Sequence, residues 1–136
     1  MHALLTPVGP DWYAIGMPAV REVVAAPGLA AVPTAPAPVL GLFNLRGEIV
    51  PLFDTAALLG LGAMPSNPFA VVVESSLGPA GLAASGVPEA ARLAGARTEA
   101  ETPGTMASYA LGRRVVTVLD LQVLLGPDSV GAQRAP

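Results

Sequence analysis

The sequence predicts a mainly β protein with short helices, built from two related halves, and two observations carry that prediction. Short apolar, β-branched runs recur along the chain, separated by turn residues; Pro and Gly each occur 15 times in 136 residues. The chain also resembles itself. Leu45 to Gly60 (LRGEIVPLFDTAALLG) and Leu111 to Gly126 (LGRRVVTVLDLQVLLG) align at an offset of 66. They are identical at Leu45/Leu111, Val50/Val116, Asp54/Asp120, Leu58/Leu124, Leu59/Leu125 and Gly60/Gly126. Two copies imply a paired architecture and not a solenoid, which needs at least about three repeats.

Ala3 to Val8 and Trp12 to Ile15 read as strands around a Gly9-Pro10-Asp11 turn, and Val20 to Val24 as a third. Ile49 to Phe53 and Val115 to Leu119 are continuous apolar runs, the signature of buried strands. Pro51 has no N–H to give to a ladder, so its position must face an edge or a bulge. Asp54 and Asp120 follow as N-caps of short helices. Leu58-Leu59 and Leu124-Leu125 then close the barrel ends, and Gly60 and Gly126 supply left-handed terminators. Phe69 to Glu74 and Gly81 to Ala84 form a further pair hinged at Gly78-Pro79. Val87 to Leu93 and Met106 to Leu111 are weaker strands, and Gly95 to Gly104 reads as a loop. Short strands punctuated this often favour small barrels over helical layers.

Composition removes most chemistry. Charged residues make up 12% of the chain, half the usual share of about 25%, so part of the surface must be apolar and suited to a partner. The net charge is −3, and the seven basic residues, all Arg, form no stripe that could track phosphates. No nucleic acid is expected. Cysteine is absent and the single histidine is His2, an exposed end residue, so no metal, cofactor or thiol chemistry is expected. Val23 to Leu45 lacks charge, but Pro27, Pro33, Pro36 and Pro38 would break a spanning helix. No basic region precedes Ala3-Leu4-Leu5 as in a signal peptide. The expectation is a cytoplasmic protein that does not insert into the membrane.

Val39 to Leu61 (VLGLFNLRGEIVPLFDTAALLGL) resembles the signature of the CheW-like domain family. The resemblance centres on Gly41, the Asn44-Leu45-Arg46-Gly47 turn, and Ile49-Val50-Pro51 leading to Asp54. It extends upstream through Ala19 to Val24 and the Pro33…Ala35-Pro36 spacing, and downstream through Gly81 to Val87 and Val115 to Leu125. It implies one domain over residues 1–136, made of two five-stranded SH3-like barrels across an apolar seam. It also implies a non-catalytic adaptor that couples the cytoplasmic tips of chemoreceptors to the regulatory domain of a CheA-type histidine kinase. The protein-binding residues implied for the receptor groove are Val20, Glu22, Asn44, Leu45, Arg46 and Gly47. Arg46 and Glu22 would form a pair beside it, with Val20 lining it. The alternative to that pair is an ordinary surface ion pair of little energetic weight.

The chain departs from the family pattern in two places. Thr55-Ala56-Ala57 stands where charged residues are usual, and Thr55, placed near an exposed helix start, is expected to tolerate replacement by Arg. Ala83-Ala84-Ser85 lacks the acidic residue common before the next glycine. Two other functions remain to be weighed. One is a CheW-like adaptor of a type IV pilus or other non-flagellar motility pathway. The other is catalytic: Leu52-Phe53-Asp54-Thr55-Ala56 looks like an aspartic-protease motif, with Asp120 as the second carboxylate of a shared-proton dyad. Asp120 lacks the hydroxyl and small residue such a dyad needs, and helix capping accounts for both aspartates.

Overall fold

The computed structural model describes residues 1–34 and 38–126. Ala35 and Pro36 of the upstream spacing lie outside the described residues. Eleven strands run in the order β1 (His2–Val8), β2 (Asp11–Gly16), β3 (Val20–Ala25), β4 (Val39–Leu45), β5 (Glu48–Phe53), β6 (Phe69–Ser75), β7 (Gly78–Ala84), β8 (Glu89–Arg92), β9 (Arg97–Glu99), β10 (Thr105–Leu111) and β11 (Arg114–Leu119). Helix α1 (Thr55–Leu58) follows β5, α2 (Leu121–Leu124) follows β11, and a 3-10 turn at Met17–Ala19 joins β2 to β3. The strands form a five-stranded sheet, β3-β6-β7-β5-β4, and a six-stranded sheet, β8-β1-β2-β11-β10-β9.

The mainly β, two-part architecture is the one predicted, and the second sheet carries one strand more than expected. That strand is β9, which pairs with β10 from Ala107↔Glu99 to Tyr109↔Arg97. All three of its residues are exposed, so no apolar alternation marks it within the Gly95 to Gly104 stretch. His2 is exposed but not frayed: it opens β1, opposite Arg92 of β8.

The two sheets share one wiring. In the first, β3 pairs with β6, β6 with β7, β7 in parallel with β5, and β5 with β4. Replacing these strands by β8, β1, β2, β11 and β10 reproduces the pairings of the second. Strands β6 and β7 begin 67 residues after β1 and β2. Strands β10 and β11 begin 66 residues after β4 and β5. The repeat therefore spans far more than the two matched segments. Each sheet takes its central hairpin from the other repeat: β1–β2 belongs to the sheet of β8 to β11, and β6–β7 to that of β3 to β5.

This exchange puts both faces of the hairpins in apolar surroundings. In β1, Leu4 and Val8 join a large core with Ile15, Phe43, Val50, Leu52, Val71, Leu82, Leu124 and Leu125. Ala3 and Leu5 point the other way, into a smaller core with Ala14, Leu93, Val116 and Val118. The large core is the seam between the sheets, as the presence of residues from both shows. Ser85, just after β7, ties the halves polar to polar. Its backbone N–H donates to the Pro7 carbonyl at 2.9 Å, and its hydroxyl accepts from the Gly9 N–H at 2.9 Å.

Local details follow from the same packing. Pro51 lies opposite Leu42 in a non-hydrogen-bonded position, because Leu42 spends both its backbone groups on Ala30. The missing N–H of Pro51 thus faces β7, whose ladder begins only at Leu52. Gly60 has φ +75 and ends α1 as predicted. Gly126 is not left-handed; it is required because a Cβ there would lie 2.3 Å from the Gln122 carbonyl oxygen. Thr55 overturns its expected tolerance of Arg. It is fully buried, and its hydroxyl donates to the Ala83 carbonyl at 2.6 Å, so a long cation has nowhere to go. Gly41 carries a crossing segment, since a Cβ would sit 2.8 Å from the Ala30 carbonyl oxygen.

Gly41→Ala is expected to destabilise the protein by about 1–3 kcal/mol through that overlap, measured by urea unfolding. Gly28→Ala, where a Cβ meets nothing within 4 Å, should change stability by less than about 1 kcal/mol.

Candidate functional site

Strands β4 and β5 are joined by the two-residue turn Arg46-Gly47, closed by the Leu45↔Glu48 pair. Both turn residues have positive φ, +52 for Arg46 and +88 for Gly47, the left-handed pairing that matches the twist of a hairpin. Gly adopts it freely, whereas Arg does so at a cost. Asn44 offsets part of that cost by accepting the Gly47 N–H at 2.7 Å. Leu45 is buried in the large core and anchors the turn from beneath.

The Arg46 side chain reaches across to β3, where Nη1 and Nη2 donate to the two carboxylate oxygens of Glu22. This fork-to-fork geometry fixes orientation as well as attraction. The Arg46 side chain is 67% exposed and that of Glu22 only 27%. Glu22 is only partly exposed, as are Val20 and Val24 on either side of it, and both valines pack on the core. Hydrogen bonding to Arg46 holds the Glu22 carboxyl below the usual glutamate range, against an opposing contribution from desolvation. The same bond raises the Arg46 guanidinium.

The six residues singled out in the sequence therefore separate by role. Glu22 and Arg46 meet, Val20 lies half-buried along the same strand, Asn44 and Gly47 shape the turn, and Leu45 is interior. Sequence reasoning missed a second layer. Arg21 Nη1 donates to Glu48 Oε1 at 3.0 Å, and its Nε lies 3.2 Å from Glu74 Oε1. The signal was present as opposite charges beside both known residues, Arg21 next to Glu22 and Glu48 next to Gly47. Strands β3 and β4 lie at opposite edges of the hydrogen-bonded order, so Arg46–Glu22 and Arg21–Glu48 bridge the gap that the ladder leaves open. Arg21–Glu74 joins the neighbouring strands β3 and β6.

The second sheet repeats the device with altered chemistry. Arg114, at the place of Glu48, donates to Glu89 of β8 at 3.0 Å. Its guanidinium also lies 3.9 Å from the Trp12 ring centroid, a cation–π contact. A cavity of about 290 Å³ opens elsewhere, lined by Tyr13, Leu59, Leu61, Thr102, Ser108 and Thr117, and shares no residue with the Arg46 turn.

The two aspartates are occupied structurally. Asp54 is buried and accepts the Ala57 N–H at 3.1 Å and the Met64 N–H at 3.1 Å. Asp120 accepts the Val123 N–H at 3.3 Å. Each carboxylate caps its own helix, which removes the support for a catalytic dyad.

The family model of the CheW-like domain matches residues 2–129. The chain belongs to the CheW-like domain family. The chemotaxis protein CheW of Helicobacter pylori is 32% identical over 132 residues, covering 89% of this chain and 79% of that protein. The chemotaxis protein CheW of Rhizobium meliloti is 41% identical over 56 residues, 41% of this chain and 36% of that protein. The crystal structure of the scaffolding protein TtCheW from Thermoanaerobacter tengcongensis superposes with a TM-score of 0.81 over 92% of each chain, at 20% identity. The two sheets are thus the paired SH3-like barrels of this fold. The CheW-like chain is a non-catalytic scaffolding adaptor of chemotaxis signalling. Among the described residues no helix is long and apolar enough to cross a membrane.

Asp54→Ala is expected to cost about 2–3 kcal/mol, because one buried and one partly buried N–H group lose their acceptor. Asp120→Ala should cost about 0.5–1 kcal/mol for one partly exposed cap; thermal unfolding of both variants measures the difference. The Glu22–Arg46 pair has a defined pH response. Because its folded pKa is lowered, the stabilisation is complete above the ordinary glutamate range and is lost as pH falls through the lowered value. The side-chain carboxyl resonance of Glu22 should titrate below the ordinary glutamate range and move up toward it in Arg46→Ala.

Proposed function

We propose that this adaptor couples chemoreceptors to a CheA-type histidine kinase in the cytoplasm. The receptor's cytoplasmic tip docks at the groove of Val20, Glu22 and Arg46, with Asn44 and Gly47 setting the turn. The kinase's regulatory domain packs against a barrel. One observation carries this reading: Arg46 is held in an unfavourable left-handed turn, locked to Glu22, and still largely exposed. Strained backbone of this kind concentrates at functional positions. An oriented but solvent-facing guanidinium suits a contact that sets register and orientation, with apolar strand residues supplying area around it.

In this reading Leu45 supports the site from the core, and Asn44 and Gly47 act through the shape of the turn. The charged pair fixes which partner fits, and the half-buried Val20 supplies apolar contact at its side.

Arg46→Glu should reduce receptor-dependent kinase stimulation, in a reconstituted assay, by about tenfold or more while leaving the thermal midpoint nearly unchanged. Unchanged stimulation in a folded variant would overturn the reading. Calorimetric titration of the wild-type protein with kinase regulatory domains of flagellar and pilus pathways would show which pathway it serves.

A further inference from the structure

We propose that Arg21 is a positioning residue of the docking site, clamping the Arg46 turn onto β3 so that partner affinity depends on a side chain the partner need not touch. The inference rests on the reading above and deepens it. Neighbouring residues of a regular strand project to opposite faces. Yet Arg21 and Glu22 both engage the same hairpin, at Glu48 and Arg46. The register of β3 explains this. Its pairing with β6 shifts between Val20↔Val73 and Glu22↔Val72, so Arg21 is the extra residue of a bulge. Bulges re-aim side chains in this way.

The charges are arranged as a crossed quartet. Strand β3 presents a cation and then an anion, and the hairpin presents Arg46 and then Glu48, each facing its opposite. Arg21 reaches further than Arg46 does. One edge of its guanidinium holds Glu48 on β5 while Nε holds Glu74 near the end of β6. One planar side chain thus straps three strands, which a point-charge ammonium cannot do with equal geometry. The two bridges also act on each other. Glu48 raises Arg21 most, with Glu74 and Glu22 adding to it; Glu22 raises Arg46 most, with Glu48 adding; and Arg21 adds to the lowering of Glu22 by Arg46. The pairs are therefore one network, the circumstance in which exposed ion pairs have measurable effect.

The turn needs such a clamp. Arg46 sits in a left-handed conformation that its own backbone disfavours, and no ladder joins β3 to β4. Without Arg21, Arg46–Glu22 is the one ion pair among the described residues that joins the hairpin to β3.

The test uses the full-length protein and a helical-hairpin tip fragment of a chemoreceptor from the same source. Wild type, Arg21→Ala, Arg21→Lys, Arg46→Ala and the Arg21→Ala/Arg46→Ala double variant are compared by calorimetry, with amide hydrogen exchange of residues 44–48 read in parallel. Arg21→Ala should weaken binding about three- to tenfold and speed exchange at the turn about two- to fivefold. Its effect on binding should disappear in the Arg46→Ala background, and Arg21→Lys should recover part of the loss. Binding and exchange unchanged in Arg21→Ala, or effects simply additive with Arg46→Ala, would overturn the proposal. Wild-type protein that binds no fragment would overturn the docking reading instead. The exchange rates would then decide the clamp on their own, unchanged rates sinking it.

Discussion

Two short parallel ladders hold this molecule together: Leu52 and Phe53 beside Gly81 and Leu82, and Val116 to Val118 beside Trp12 to Ala14. Every other pairing in the two sheets is antiparallel and most join neighbours in sequence. Each parallel ladder attaches one side of an exchanged hairpin to the strand that hosts it, and the antiparallel pairings of β1 with β8 and of β6 with β3 attach the other side. The first is only two residue pairs long, and its strength comes from packing around it. Gly81 lets Leu52 and Phe43 close over the backbone, since a Cβ there would come within 3.1 Å of both side chains. Because the hairpins are exchanged, β1 and β7 are buried on both faces. A chain of this length can then build one continuous seam instead of two thin cores.

How much of this could be read in the residues depends on where the repeat kept its side chains. Strand β5 with α1, and β11 with α2, retain identical residues because each must do the same three things: fill a core, cap a helix and end it. Those elements were predictable to within a residue. Strands β1 and β6 keep only Ala3/Ala70 identical, since any apolar residue serves a buried strand, and their kinship shows only in the wiring. Nothing in a linear pattern says which sheet a hairpin will join, so the resemblance left strand exchange between the barrels open and the residues alone did not decide it. Thr55 was misjudged for a related reason: a hydroxyl beside a helix start reads as exposed, but here the Ala83 carbonyl claims it.

The Arg46 turn shows the same division. The Asn44 to Gly47 turn was legible because a two-residue hairpin demands particular residues, and the pairing of Glu22 with Arg46 was legible through the family resemblance. The contributions of Arg21, Glu48 and Glu74 depend on a bulge, which is a matter of register that residue types do not encode. The corresponding edge of the six-stranded sheet is joined by Arg114, Glu89 and Trp12, so the repeats kept the task of bridging an open edge while changing the chemistry that performs it. Such divergence leaves two similar barrels whose edges carry different charges.

The exchanged hairpin also orders events during synthesis. β1 and β2 are made before the other strands, but their strand partners β8 and β11 come only after β7. One face of the hairpin, with Ala3, Leu5 and Ala14, must stay unburied until Leu93, Val116 and Val118 have been made to cover it. The middle segment, β3 to β7, holds a complete five-stranded ladder of its own and can assemble while the hairpin is still waiting. Non-local closure of this kind slows folding and leaves strand edges open to misassociation. The hazard is therefore concentrated in the β1–β2 hairpin, and the arrival of β11 ends it.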